Sequence, residues 1–509
     1  MTIWPTMEID VMRILMTLYL ALAPEFGQSL QADEQLGSTM TLEDLQKKQR
    51  DVQEVDQFEV LSVQAAAEPV PAIRLRLYPA YWELKPGSAL LHFSRAQLLL
   101  MQRSEEERNR WQTDEWMNGE GEGEKPTTEQ LGKTVESLQT LFRELHDLAM
   151  SEDFSADHRL RDLRGPEVFT FIMPDVQESR ALARILKMKI RYQILQRDFD
   201  GAVTSISDGL RLAEFIGQGE TLIQKLVGIA IQSMMRAGIE NLIATPGSPN
   251  LYWALATIPR PLVSTRDSVM WELNTLARVF PALFEAEKTD WTDAQATEKW
   301  SAMLKDFSVL SGDATPTDFK LALAVGSIAF VSPARQRLQT SGFPEERLNR
   351  LPALQIILID AARELRRMGD ELGKGHLLPD PLALSVLSQA DDQFLQTMRK
   401  ELMTSLAAVL ASRLYPAVTQ ARDAETRTQM TYARLMTLEA LRMHAANSNG
   451  QLPNSLEELS SAPALPDPYT GRNFDYSVET VDGSSVVTLR SPGPESYKPM
   501  QVLIARFGK

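Results

Sequence analysis

The chain has 509 residues, of which 53 are basic and 68 are acidic, so its net charge is −15. This excess of acidic residues argues against general nucleic-acid binding, which requires a basic surface. The absence of cysteine excludes disulfides, thiolate catalysis, cysteine-based zinc sites and iron–sulfur clusters. The length is sufficient for a large core and one to three domains.

The first 32 residues have the pattern of an export signal. Arg13 is followed by a run of ten mostly apolar residues, Ile14–Ala23, and then by small residues suited to cleavage. The run is too short to span a bilayer comfortably. Because acidic residues precede Arg13, we expect translation to begin at Met7 or Met12. The alternative interpretation is a buried or amphipathic N-terminal helix.

A polar linker is expected over 33–57, and a helical body over 58–430. Short extended segments are predicted near 58–77, where apolar and basic residues alternate in Ala72–Leu77, and near 168–173.

Three consecutive helices are predicted between Glu178 and Ile243, from apolar residues at three- and four-residue steps. Asp198–Gly201 has the composition of a turn between the first two helices, and Gly217–Gly219 ends the second.

Part of this region resembles the turn and second helix of a tetratricopeptide repeat. The matching residues are Asp198, Phe199, Asp200, Ala202, Ile206 and Gly209. No second copy follows, so the resemblance implies one degenerate repeat, and an ordinary antiparallel helix hairpin is the alternative.

Pro246–Leu255 is predicted to form a corner after these helices. Its aromatic residues, Tyr252 and Trp253, are candidates for a binding groove, and the alternative is that they fill the core beneath the corner. A long helix is then expected over 264–287, and further helices over about 388–413 and 416–448.

Residues 431–509 are predicted to form a small α+β module: a helix, a proline-rich loop and a hairpin. Phe474, Tyr476 and Val478 alternate as in a strand, and Val486–Leu489 is expected to pair with them.

This module resembles the C-terminal part of the major pseudopilins of type II secretion systems over 431–490. The match is carried by Gly450, Pro453, Pro466, Asp467, Pro468 and Gly471. The pilin helix that polymerises is missing, so a pilus subunit is not expected. The resemblance implies a possible calcium site at Asp467 and Glu495, and two solvated carboxylates are the alternative.

Most of the chain also resembles a group of exported helical proteins of planctomycete bacteria. This resemblance implies an extracytoplasmic location, periplasmic or secreted, with the signal either cleaved or kept as an anchor. It implies no activity.

We find no catalytic or cofactor-binding motif. None of the five histidines, His92, His146, His158, His376 and His444, belongs to a zinc-protease motif or a close pair, and no nucleophile elbow is present.

The expected fold is therefore mainly α, a multi-helix array of tetratricopeptide-like or α-solenoid-like type with the small C-terminal α+β module. The leading hypothesis is an exported, non-enzymatic scaffold or binding protein for a protein or envelope partner. It would use a concave surface of the helices of 178–413, without nucleic acid and without a transmembrane span beyond a possible uncleaved signal. The alternatives are an exported hydrolase or polymer-processing enzyme and an accessory factor of a pilus-like or secretion apparatus. A deep pocket with convergent carboxylates and a histidine of shifted pKa would favour the enzyme.

Overall fold

The computed structural model describes residues 57–155, 160–165, 173–311, 316–481, 484–491 and 501–508. These residues are mainly helical, with 18 α-helices and a small C-terminal sheet, as the sequence predicts. The expected export signal, almost all of the linker and of the segment near 168–173, and Glu495 lie outside the described residues.

The first described part of the chain contains three strands and five α-helices. Its elements are β1 (Gln57–Val63), β2 (Lys85–Ser88), α1 (Ala89–Met101), α2 (Glu105–Trp111), α3 (Asp114–Met117), α4 (Thr128–Ser137), α5 (Gln139–Ala149) and β3 (Ser151–Asp153). The expectation of an extended Ala72–Leu77 is wrong, because the backbone turns back at Pro71, whose carbonyl accepts from Arg74 N at 3.0 Å. A short 3-10 helix, Tyr81–Glu83, precedes β2.

The three predicted central helices are α6 (Met173–Leu195), α7 (Phe199–Gly217) and α8 (Leu222–Ala244). The turn before α7 is shorter than expected, because Asp198 caps the helix by accepting from Gly201 N at 3.0 Å. A capping box formed by Thr221 and Gln224 begins α8 directly after the glycine-containing break.

The next helices are α9 (Tyr252–Ala256), α10 (Arg266–Val279), α11 (Pro281–Glu285), α12 (Asp293–Ser311), α13 (Pro316–Thr340), α14 (Glu345–Leu348), α15 (Ala353–Lys374), α16 (Leu382–Glu401), α17 (Leu406–Leu414) and α18 (Pro416–Asn447). The prediction of one long helix over 264–287 is wrong. The chain forms two helices there, and they are divided at Phe280, whose backbone dihedral angles are not helical because Pro281 follows it. The helix expected over 388–413 is likewise two helices, α16 and α17.

The C-terminal sheet contains β4 (Asp475–Val481), β5 (Ser484–Arg490) and β6 (Gln501–Phe507) in the order β1-β6-β5-β4. β4 and β5 pair antiparallel from Val481↔Ser484 to Asp475↔Arg490, which confirms the predicted hairpin. The two residues at its tip lie outside the described residues. β1 pairs with β6 in parallel, so the sheet includes a strand from the other end of the described chain.

Helix α18 connects the sheet, the corner and the first described residues. Arg442 Nε donates to the Gln64 carbonyl at 2.8 Å, and the Arg442 carbonyl accepts from Ala66 N at 3.1 Å. Farther back on the same helix, Asp423 accepts a hydrogen bond from the Tyr469 hydroxyl at 2.7 Å. The module is therefore fastened to the helical body by polar contacts as well as by its sheet.

Candidate functional site

The two aromatic residues of the predicted corner lie in and against the core. Tyr252 is 3% exposed and donates from its hydroxyl to the Pro463 carbonyl at 2.8 Å. Trp253 is half-buried, packs edge-on against Tyr252 at 5.0 Å between ring centroids, and donates from Nε1 to Glu68 Oε1 at 2.5 Å. Tyr252 therefore fills the core beneath the corner, and Trp253 fastens the segment that follows β1.

The proposed calcium ligand Asp467 is fully buried. Its Oδ1 accepts from Tyr469 N at 3.0 Å and its Oδ2 accepts from the Ser491 hydroxyl at 2.8 Å. Burial raises the pKa of this carboxyl. The two oxygens therefore tie the proline-rich loop to the end of β5, and the described parts of the chain contain no group of three metal-ligating side chains.

Histidine and acid meet at two places in the first half of the chain. His92 Nδ1 lies 2.7 Å from Glu144 Oε2, and His146 Nδ1 lies 2.9 Å from Asp208 Oδ1. The hydrogen bond that His146 donates to the buried Asp208 raises the pKa of His146, whose side chain is 44% exposed. Such a pair can hold an imidazole in one orientation for proton transfer.

His376 presents a different situation, because it is 1% exposed and neither ring nitrogen has a hydrogen-bond partner among the described residues. Burial, together with the nearby Arg422, lowers the pKa of His376 to about 4. The imidazole is therefore neutral at physiological pH.

A half-open cavity of about 320 Å³ lies beside α7, lined by Phe154, Ser155, Gln218 and Gly219. Arg211 stacks its guanidinium on the Phe154 ring at 3.8 Å. The four described lining residues include no carboxylate and no imidazole, so they do not supply the convergent groups expected of a hydrolase.

Arg211, which lies next to this cavity, makes hydrogen bonds that stabilise the fold. It donates to the carbonyls of Ala149 at 2.9 Å and Ser151 at 3.1 Å and to the Tyr78 hydroxyl at 2.7 Å. Burial, followed by the negative charge of Glu214, raises the pKa of Tyr78 to about 12. The cluster therefore joins α7 to the chain before β2.

A concentration of exposed apolar side chains lies between residues 70 and 101, which we call the exposed segment. Eight of the 19 strongly exposed large apolar residues in the described chain belong to it. Tyr81 is 81% exposed and Trp82 is 67% exposed, and the two rings meet edge-on at 5.1 Å. The other six are Val70, Ile73, Leu90, Leu91, Leu98 and Met101. Large exposed apolar areas on a folded chain commonly mark interaction sites.

Helix α1 contributes to this segment because it is apolar on two opposite sides. The inner side buries Ala89, Phe93, Ala96 and Leu100, which follow one another at three- and four-residue steps. Leu91 and Leu98, seven residues apart, lie about two turns apart on the outer side. The sequence of α1 does not predict this exposure, because a helix with apolar residues on all sides is normally buried.

The basic side chains of the exposed segment form ion pairs with acidic side chains. Arg76 lies 5.5 Å above the Trp82 ring and pairs with Glu83 at 2.9 Å. Lys85 lies 3.9 Å from Asp147, and Arg95 lies 3.9 Å from Glu144. The segment therefore carries exposed apolar side chains together with paired charges, and binding surfaces contain both kinds of group.

None of the described helices combines the length and the apolarity needed to cross a bilayer. Comparison of the chain with known protein families, with curated proteins and with solved structures found no match.

Proposed function

We propose that this chain is an extracytoplasmic, non-enzymatic helical protein that binds a protein or cell-envelope component through the exposed segment. The observation that carries the proposal is the exposure of Tyr81, Trp82 and Leu98 within one stretch of the chain. Leaving large apolar side chains in water costs about 25 cal/mol for each Å² that a partner could cover. A partner that covers them therefore gains affinity without a change in the fold.

Aromatic residues at the centre of such a surface are the best anchors. Trp and Tyr supply large contact areas and are enriched among the residues that dominate binding energy. The Tyr81–Trp82 pair lies on a 3-10 turn, held in place by Arg76 and by Glu83, which accepts from Ala80 N at 2.9 Å. A fixed pair loses little conformational freedom when it binds, which supports a recognition role.

Substituting Trp82→Ser and Leu98→Ser together tests the proposal. Both side chains are exposed, so we expect the thermal unfolding midpoint to stay within about 2 °C of the original. Binding of the purified full chain to an envelope preparation should weaken at least about tenfold, because two apolar anchors are lost. Co-sedimentation across a concentration series gives the apparent Kd.

Met403→Ser is the matched control, because Met403 is 79% exposed but lies far from the exposed segment in the chain. Its affinity should equal that of the original chain. Equal affinities for the double variant and the control would contradict the proposal, and so would an original chain that does not bind the envelope preparation.

Hydrolysis is a second candidate function, and the His146–Asp208 pair is the observation in its favour. The imidazole is accessible, and its pKa is raised by Asp208, which favours its protonated form as a candidate general acid. No nucleophile is placed beside it by a hydrogen bond in the described chain, and we therefore prefer binding.

A further inference from the structure

Four basic residues form a stripe on helix α6. Arg180, Arg184, Lys187 and Arg191 follow one another at steps of four, three and four residues, which places them on one face of a helix. All four are partly buried. Burial lowers the pKa of each, and it lowers that of Arg180 to about 10.

The contacts of this stripe are mostly with neutral groups. Arg184 donates to Gln112 Oε1 at 3.0 Å, and Arg191 donates to the carbonyls of Glu115 at 2.7 Å and Trp116 at 3.0 Å. These acceptors bind the guanidinium groups without cancelling their charge.

The charge near Arg180 is the least compensated. Asp114 and Glu120 lie close enough to influence Lys187, and Asp114 also influences Arg184. Apart from burial, the group that most influences Arg180 is another cation, Arg184, which also lowers its pKa. Arg180 Nε is buried and has no hydrogen-bond acceptor among the described residues.

Donors without acceptors also lie on helix α2, which packs against α6 and ends beside Gln112, the acceptor of Arg184. The Nε atoms of Arg108 and the indole Nε1 of Trp111 are buried and, in the described chain, unpaired. Trp111 is 2% exposed. Buried N–H groups normally find acceptors, and a buried cation normally finds an anion. Here three donors on two packed helices lack a hydrogen-bond acceptor among the described residues, in a chain whose net charge is −15.

We propose that the region between α2 and the basic stripe of α6 binds a tetrahedral oxyanion, the phosphate or sulfate group of a ligand or the free ion. Such a group presents oxygens in several directions and therefore serves donors from two helices, whereas a carboxylate presents two oxygens on one side. Guanidinium groups match phosphate and sulfate oxygens in geometry as well as charge. The site is separate from the exposed segment and does not rest on the proposed function.

Calorimetric titration of the full chain at low ionic strength with sodium phosphate, sodium sulfate and glycerol 3-phosphate tests the proposal. We expect a measurable Kd for at least one of the three, and Arg180→Gln should weaken it at least about tenfold because the uncompensated cation is lost. Lys133→Gln is the control, because Lys133 is a 74% exposed cation on the neighbouring helix α4, and it should leave the Kd within about twofold. If Arg180→Gln does not fold, Lys187→Gln serves in its place.

Thermal unfolding separates ligand binding from a structural role of Arg180. Phosphate should raise the Tm of the original chain in a concentration-dependent way and leave the Tm of Arg180→Met unchanged. Tighter binding of glycerol 3-phosphate would assign the site to an esterified ligand, and tighter binding of phosphate or sulfate to the free ion. No binding of any probe at about 10 mM, or equal binding by Arg180→Gln, would overturn the proposal.

Discussion

A buried ion pair on α18 holds three separate parts of the chain together. Glu439 and Arg442 are at most 1% exposed, and their side chains meet at 2.6 Å. The other Glu439 oxygen accepts from Leu251 N at 2.5 Å, and Arg442 Nη2 donates to the Ser248 hydroxyl at 3.0 Å. The pair therefore also orders the corner, through Leu251 and Ser248, and the segment after β1, through the Gln64 carbonyl.

Glu439→Ala should lower the free energy of unfolding by about 3–5 kcal/mol, because it leaves the Arg442 charge buried without an anion. The double variant Glu439→Ala/Arg442→Met should lose less than the sum of the two single variants, since the uncompensated charge is removed as well. Urea denaturation measures all four chains. A loss below about 1 kcal/mol for Glu439→Ala would show that the pair is not needed.

Glu272 on α10 makes the folded chain less stable as the pH rises, whereas an acid held in an ion pair makes it less stable as the pH falls. Burial raises its pKa from 4.5 to about 7, although Oε1 accepts from Leu222 N at 3.1 Å. The folded state therefore holds this proton more tightly than the unfolded state. Its contribution to stability is fully present below about pH 4.5 and is lost as the pH rises to about 7.

Glu272→Gln should remove this loss, because an amide oxygen accepts the same hydrogen bond without a charge. We expect the variant to be more stable than the original chain by roughly 2 kcal/mol at pH 8 and to show a smaller difference at pH 5. Denaturant titrations at the two pH values give the comparison. A difference that does not grow with pH would mean that Glu272 is ionised at little cost in the folded chain.

At the scale of elements, the contact between α7 and α8 depends on the absence of a side chain at Gly228. A Cβ placed there would lie 2.7 Å from the Ala213 carbonyl oxygen and 3.1 Å from Gly217 Cα. Both are backbone atoms of α7, so neither can rotate away. Gly228 therefore marks a place where two helices touch through their backbones.

Gly228→Ala should lower the free energy of unfolding by about 1–3 kcal/mol, because the two helices must separate. Gly238→Ala, ten residues farther along α8, is the matched control. Its Cβ would meet Ile190 Cγ2 at 3.3 Å, a side-chain atom that can move. Alanine gains helix propensity at both sites, so the control should be neutral or stabilising. Equal effects of the two substitutions would contradict this account.

Local signals explain which elements could be predicted. The end of α7 near Gly217 and the start of the next helix follow from glycine and from the Thr221 capping box. The break at Pro281 was also readable, because the residue before a proline avoids the helical region. The turn at Pro71 could not be predicted from the alternation of apolar and basic residues. An alternating segment forms a strand only when a partner strand pairs with it.

At the scale of the whole molecule, long-range contacts limited the prediction. The hairpin of β4 and β5 is local and was predicted, whereas the pairing of Phe58 with Val502 joins distant residues. The main core likewise contains Val63 and Phe507 together, while a second core is built from residues between 276 and 415. No local pattern indicates which distant segments share a core.

The candidate surfaces were missed for the same reason. Leu91 and Leu98 have the sequence pattern of core residues, and their exposure is decided by which side of α1 finds a neighbour. The basic stripe of α6 is visible as a spacing, but the lack of an acceptor for Arg180 appears only when all surrounding elements are in place. The aromatic corner was visible, and its burial was one of the two outcomes considered.

Synthesis proceeds from the N-terminus, so the ribosome delivers β1 early and β6 near the end of the described chain. Among the described strands, β1 pairs with β6 alone, through seven parallel residue pairs from Gln57↔Gln501 to Val63↔Phe507. Pairing between such distant segments is slow, and an unpaired strand edge is open to incorrect partners until it closes. The sheet must therefore form after synthesis of the helical body, and β1 is the segment of this molecule most in need of protection while the rest of the chain is made.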